Sequence, residues 1–417
     1  MPAFSSENMS SLVEITFRKG LELRDTWATL VAENASSSTK IDVCHFLSRA
    51  AFDVIGLAGF DYSFNSINDE TNELFLAYRK TFEVFISQTG PIRTLLSIYL
   101  PWVNKLFADE TVRVVEQSHK VVRRVAGRLI QEKKQKIADG EKYGDPYDGK
   151  DLLTLLLKSN AAKDLPLEQR ISDEDILNNI NTFIFAGSDT SSMSMTWTLL
   201  LLARHPRIQD RLRAELLGVS SQFPASLSEL SPEQMQSLYV AISALPFLHN
   251  VTRESLRLIP PLHSTLRVPT RTDEIPTSHP IPTRSGGDGD KYSFTIPKGT
   301  VVHVSFEAFN VDKSIWGDDA WDFKPDRWDT LPNAVYQHPW HFSNMFSFSA
   351  GPRACPGLRF SLIEIKIFYY ILLTNFVFQE ADKITPYNVV LTRPYISGRF
   401  RDGAQCPLLV SPFVRPS

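Results

Sequence analysis

The chain of 417 residues reads as a mainly α fold with a smaller β portion, and three observations carry that reading. Apolar residues recur at helical spacing through the first two-thirds of the sequence. After Leu258 prolines crowd from Pro260 to Pro339, and short β-like runs take over. Beyond a Gly- and Pro-rich loop near the C-terminal end, an almost unbroken apolar helix follows.

The spacing predicts helices over 8–33, 42–58, 70–87, 108–139, 149–158, 172–204, 206–217 and 232–258. Between Gly140 and Gly149 the sequence Gly-Glu-Lys-Tyr-Gly-Asp-Pro-Tyr-Asp-Gly is turn chemistry. Apolar helices resume on both sides of it, so a surface loop is expected there and not a domain boundary. Strand-like runs are Tyr292–Ile296 and Thr300–Ser305. The stretch Ser285-Gly-Gly-Asp-Gly-Asp290 lacks the Lys-Ser/Thr of a phosphate loop and the carboxylate spacing of a calcium loop, which leaves a solvated hairpin tip. Around Ile363 to Val377 the apolar run is interrupted by Glu364, Lys366, Thr374 and Asn375, so it predicts a core helix and not a membrane span. No internal repeat divides residues 1–417, and one domain is expected.

Composition narrows the function classes. Hydrophobic residues at 43% and charged residues at 22% suit a globular protein with a sizeable core. Lys plus Arg number 44 against 47 Asp plus Glu, a net charge of −3, so nucleic acid is not expected as a bulk electrostatic partner. Three cysteines, Cys44, Cys355 and Cys406, are too few for a disulfide framework and point to a reducing compartment. No signal peptide or membrane span is visible at the start, where Met1 to Met9 is a polar lead into a helix.

The candidate chemistry centres on Phe348-Ser-Ala-Gly-Pro-Arg-Ala-Cys-Pro-Gly357. This segment places the Cys355 thiol at the mouth of a helix, where free N–H groups and the positive end of the dipole favour a thiolate. Gly351 and Gly357 allow φ angles or backbone approaches that a side chain would block. Arg353 brings a cation two residues before the sulfur. A lone Cys ahead of a helix is more often a small buried hydrophobe, so the residue alone decides little. A zinc set of His338, His341 and Cys355 lacks a sensibly spaced fourth ligand. Cys44 and His45 are adjacent in sequence and point to different sides of an element. Within the longest helix, Phe183-Ile-Phe-Ala-Gly-Ser-Asp-Thr-Ser-Ser192 gathers residues that disfavour helix, which suggests a kink or widened groove, or else a polar patch against a loop. Glu254 and Arg257 share a helix face at i, i+3 spacing.

The pattern F-x-x-G-x-R-x-C-x-G resembles the cysteine-loop signature of the cytochrome P-450 family, the haem-thiolate monooxygenases, of the eukaryotic microsomal type. Three further segments stand in that family's order. Ala186-Gly187-x-Asp189-Thr190-Ser191 is similar to the oxygen-binding stretch, Glu254-x-x-Arg257 to the helical ion pair, and Phe323-Lys-Pro-Asp-Arg327-Trp328 to the second-Arg segment. The resemblance implies a single haem-thiolate domain with haem b (iron protoporphyrin IX) between the 172–204 helix and the cysteine loop. Cys355 would be the axial iron ligand. Phe348, Gly357, Ala186 and Gly187 would contact the haem, and Arg353 and Arg267 would pair with its propionates. Asp189 and Thr190 would manage proton delivery, while Glu254, Arg257 and Arg327 would form a buried network supporting the loop. Phe183, Ile184, Ala186, Leu262 and Ile396 are the expected pocket walls.

The implied reaction inserts one oxygen atom from O2 into an apolar organic substrate, with electrons from NADPH through a reductase partner. Members of this type sit on the cytosolic face of the endoplasmic reticulum membrane. They are longer than this chain, the excess lying before Met1, so an N-terminally shortened member without the anchor, the first strands and the first helices is expected. Its small sheet would then keep an unpaired edge. Two readings from other classes stay open: an inactive haem-fold remnant, and a haem-thiolate isomerase or dehydratase that uses no O2.

Overall fold

A computed structural model describes residues 6–34, 38–87, 110–143, 147, 149, 151–161, 166, 170–224, 226–281, 291–338, 342–388 and 390–414. The expected hairpin tip at 285–290, His341 and most of the 140–149 connector beyond Tyr143 lie outside the described residues.

Helices come first, as the periodicity requires. They are α1 (Ser6–Ala32), α2 (Val43–Phe60), α3 (Glu73–Ser87), α4 (Glu110–Tyr143), α5 (Leu152–Ala161), α6 (Asp173–Arg204) and α7 (Pro206–Ser220). The run expected as one helix over 232–258 is two, α8 (Pro232–Ser243) and α9 (Pro246–Leu258). Pro246 explains the break. It has no N–H to continue a ladder, it drives Leu245 to an extended φ −66, ψ 118, and it then serves as the first residue of α9.

The proline-rich third forms antiparallel pairs: β2 (Ser264–Arg267) with β5 (Val302–Ser305), and β3 (Asp273–Ile281) with β4 (Lys291–Ile296). Short helices α10 (Phe306–Asn310), α11 (Lys313–Trp316) and α12 (Asn333–Tyr336) lead to α13 (Leu358–Asn375). The chain then passes into β6 (Phe376–Glu380), the β7 (Ile384–Asn388) and β8 (Thr392–Ile396) hairpin, and β9 (Pro407–Pro412). Strand β9 lies between β6 and the early strand β1 (Thr39–Asp42), with Thr39 opposite Val410 and Asp42 opposite Pro407. Asp42 also caps α2, and its carboxylate accepts from the N–H of Cys406 at 2.8 Å.

The core is built on α6 and α13. Every residue from Ser191 to Ala203 is buried, as is every residue from Ile363 to Thr374. Helix α2 is long and apolar enough to cross a membrane by composition, and 72% of it is buried inside the fold. Helix α6 runs unbroken through Gly187–Ser192. Two of its hydroxyls bond to carbonyls one turn back, Ser188 to Ile184 and Thr190 to Ala186, each at 2.7 Å. A cap completes the helix start: the Ser172 hydroxyl accepts from the Asp175 N–H, and the Asp175 carboxylate accepts from the Ser172 N–H.

Candidate active site

A cavity of about 710 Å³ opens between α6 and the loop that precedes α13. That volume is within the range of sites for small organic ligands, roughly 300–1,000 Å³. Cys355 lines it together with Phe348, Arg353 and Gly357 from the loop, Phe183, Ala186, Gly187 and Thr190 from α6, and Leu262 and Arg267 from the segment after α9.

The loop is shaped by left-handed backbone at Ser349 (φ 60) and Gly351 (φ 68), and the N–H of Cys355 donates to the carbonyl of Phe348 at 2.8 Å. The left-handed turn at Ser349, a residue with a Cβ, costs about 1–2 kcal/mol, which surrounding contacts must offset. Gly357 has an ordinary φ of −84, and a Cβ there would meet the Cys355 sulfur at an unstrained 3.7 Å. Burial pushes the Cys355 thiol up, and the Gly357 N–H hydrogen-bonded to the sulfur pulls the other way. Desolvation therefore outweighs the helix start at this thiol. A metal cation facing the sulfur reverses that balance, because a coordinating thiol is deprotonated outright.

The donor set fits haem. One half-buried sulfur faces a largely apolar cavity. At its rim, Arg267 and Arg353 make no ion pair among the described residues, so both guanidiniums are available to carboxylates. Among the described residues no cluster of three His, Cys, Asp or Glu could hold a metal ion. Burial and the cations of Arg49 and Arg79 lower His45 to about 4, and its Nδ1 lies 2.9 Å from Arg79 and not on Cys44.

Glu254, Arg257 and Arg327 meet in a buried network behind the loop. Arg257 binds Glu254 through two N–H donors, each at 2.9 Å, and neither side chain is exposed. Arg327 reaches Glu254 at 3.2 Å, and the Trp328 indole N–H donates to it at 3.0 Å. Arg257 also donates to the carbonyls of Asn310 at 2.8 Å and Ala320 at 2.6 Å. From Asn310 the side chain donates to Ser347, and Ser347 to the Leu256 carbonyl, so the network ends on the residue before Phe348. Sequence reasoning missed Asn310 and Ser347, which carry no motif. It also missed Asp319, which pairs with Arg327.

Three expected site residues lie elsewhere. Ile184 is buried in the core on another face of α6, one residue from the cavity-facing Phe183, because successive helical residues turn about 100°. Ile396 packs against the main core and does not line the cavity. Asp189 faces a second, smaller cavity of about 60 Å³ with Ser188, His45, Arg79 and Arg393, and pairs with Arg393 at 2.5 Å. That ion pair also raises Arg393 against the effect of burial.

The chain matches the family model "Cytochrome P450" over residues 1–395. Cytochrome P450 monooxygenase 128 of Postia placenta is 37% identical across 99% of this chain and 74% of its own length. Cytochrome P450 monooxygenase 205 of the same fungus is 36% identical with the same coverage, 99% and 74%. Cytochrome P450 monooxygenase claU of Ampulloclitocybe clavipes is 29% identical across 98% of this chain and 73% of its own. With the thiol, the two rim arginines and the buried Glu254 network in one place, the chain belongs to the cytochrome P450 family of haem-dependent monooxygenases.

Proposed function

We propose that this chain, as one domain, inserts a single oxygen atom from O2 into an apolar organic substrate, with electrons reaching it from NADPH through a reductase. The observation that supports this most directly is Cys355 beneath a largely apolar cavity whose rim carries Arg267 and Arg353. Haem, when bound, supplies the activation of dioxygen and the oxidation itself. Cys355 would hold the iron, and the two arginines would fix the propionates and so the orientation of the ring. Ala186 and Gly187 keep the facing wall of α6 free of bulk. Phe183 and Leu262 offer apolar surface to a substrate and exclude water. Thr190 presents its hydroxyl to the cavity, where it can accept a proton and pass one on. With a membrane-bound reductase as partner, the cytosolic face of the endoplasmic reticulum is the proposed location.

The test is spectroscopic. The chain expressed with haem supply, reduced and exposed to carbon monoxide should show the red-shifted Soret band of thiolate ligation, and Cys355→Ser should lose it. A wild-type chain that takes up haem without that band would overturn the proposal.

A further inference from the structure

The large cavity has two chemically different ends. Its Cys355 end carries Arg267, Arg353 and the hydroxyl of Thr190. Helix α13, which follows the cysteine loop, meets α6 in its C-terminal half, where the Tyr369 hydroxyl donates to Thr198 at 2.6 Å. The other end lies by the start of α6. There Lys134 binds Asp173 at 2.6 Å, and its buried neighbour Lys133 binds Asp61 at 2.9 Å. Asp61, Tyr147, Asp151 and Thr182 line the cavity on this side. Between Thr182 and Thr190 α6 rises about 12 Å, which is the length of a small organic molecule.

A buried lysine organises this second end. The Lys133 ammonium donates to Asp61 at 2.9 Å, to Asp151 at 3.0 Å and to the Tyr147 hydroxyl at 2.9 Å, which uses all of its protons. The Tyr147 hydroxyl in turn donates to the same Asp61 oxygen, Oδ2, at 3.0 Å. Both Asp151 oxygens are taken, by Thr154 and by Lys133. Asp61 differs. Its Oδ1 accepts no hydrogen bond among the described residues, and its side chain is 55% exposed. Burial pushes the Asp61 carboxyl up, but the hydrogen bond and charge of Lys133 outweigh it and hold the group below its usual value. The result is an ionised carboxylate, fixed through one oxygen, with the other left to accept.

Charge decides which donor suits it. Lys133 and Lys136 stand against Asp61 and Asp151, and the Lys136 ammonium lies 5.9 Å from the centre of the Tyr147 ring. The cations balance the anions, so this end is neutral overall. An ammonium group would lose its hydration here for no net attraction, and a carboxylate would meet only an acceptor. A neutral hydroxyl fits.

We propose that Asp61 is a positioning residue for the substrate. The cavity takes an elongated apolar molecule with a hydroxyl about 12 Å from the carbon that is oxidised, and the free Asp61 oxygen accepts the hydrogen bond of that hydroxyl. The inference rests on the monooxygenase reading above.

Calorimetric titration of the haem-loaded chain tests this with three probes of equal length: dodecanol, dodecylamine and dodecanoic acid. Dodecanol should bind tighter than either of the others by about tenfold or more. Asp61 caps α2 in left-handed backbone at φ 50, which Asn tolerates, so Asp61→Asn keeps the turn. Its amide oxygen should take the Lys133 and Tyr147 bonds, which leaves its N–H groups for the cavity. The order should then invert, with dodecanoic acid bound more tightly than dodecanol. In turnover, wild type should oxygenate dodecanol toward its methyl end, and D61N should spread the products along the chain. Dodecanol bound no more tightly than the other two by wild type, or an order unchanged in D61N, overturns the proposal. Should D61N not fold, the wild-type order alone decides it. Titration needs no turnover, and the carbon monoxide band reports the thiolate separately, so a failure here is distinct from a failure of the monooxygenase reading.

Discussion

Asp189 and Thr190 are consecutive on α6, yet they open onto different cavities. Thr190 faces the space above Cys355. The Asp189 carboxylate faces a small second cavity and is held by Arg393 of β8. One step along a helix turns a side chain by about 100°, enough to put a wall between the two.

The first prediction concerns that ion pair. Arg393→Ala should strand a mostly buried carboxylate and destabilise the chain by about 2–3 kcal/mol, read as a lower urea midpoint with an unchanged slope. An unchanged midpoint would mean that the pair contributes nothing.

Thr190→Ala removes a hydroxyl that lines the large cavity and donates to Ala186 at 2.7 Å. Reductant consumption should continue while product falls, by a factor on the order of 10². Equal product yield from both proteins would remove Thr190 from proton handling.

Behind the loop, Glu254→Ala should be far more damaging than a surface change. It leaves Arg257, with no exposed surface, without its acid, at a cost of about 3–5 kcal/mol. Thermal unfolding measures this, and a loss below about 1 kcal/mol would contradict the buried network.

Lys366 gives a pH signature. Burial first, and then the nearby Arg253 cation, lower it to about 8 from its usual 10.5. Between those values the unfolded chain holds a proton that the folded chain has released, so stability should rise with pH across that window. Lys366→Met should flatten the rise and stabilise the chain near neutral pH. Parallel stability curves for the two proteins from pH 8 to 10.5 would refute it.

Two helical glycines should respond in opposite directions to Ala. A Cβ at Gly56 would meet the Tyr62 carbonyl at 2.8 Å and the Phe64 ring at 2.5 Å, so overpacking of about 1–3 kcal/mol should exceed the gain in helix propensity. At Gly127 nothing lies within 4 Å, and Ala should stabilise by up to about 1 kcal/mol. Calorimetric midpoints that moved the same way would count against this packing.

Where a spaced motif carries the chemistry, the sequence was a good guide to placement. Cys355, Arg353, Arg267, Phe348, Gly357, Ala186, Gly187 and Thr190 converge on one cavity. It was a poor guide to helical phase and strand side: Ile184 and Phe183 are equally apolar neighbours, and only tertiary packing decides which one turns into the core. Pro246 could have split the 232–258 helix from sequence, since the residue before a proline avoids helical backbone. Glu364 was visible as a charge interrupting an apolar run, but what it faces depends on a residue of α6 far away in the chain. Asn310 and Ser347 had no signal at all, because their role is set by which carbonyls the fold brings near.

The pairing of β1 with β9 bears on the order of synthesis. Among the described residues, Thr39–Asp42 pairs in the sheet only with residues 407–410, and the Asp42 carboxylate meets the Cys406 N–H only when that segment arrives. A ribosome making this chain from the N-terminal end exposes α1 and α2 long before their closing strand exists. Such non-local pairing is slow to form and open to aggregation while it waits. A nascent chain halted before Pro407 should therefore depend on chaperones, although nearly all of its helices are already made.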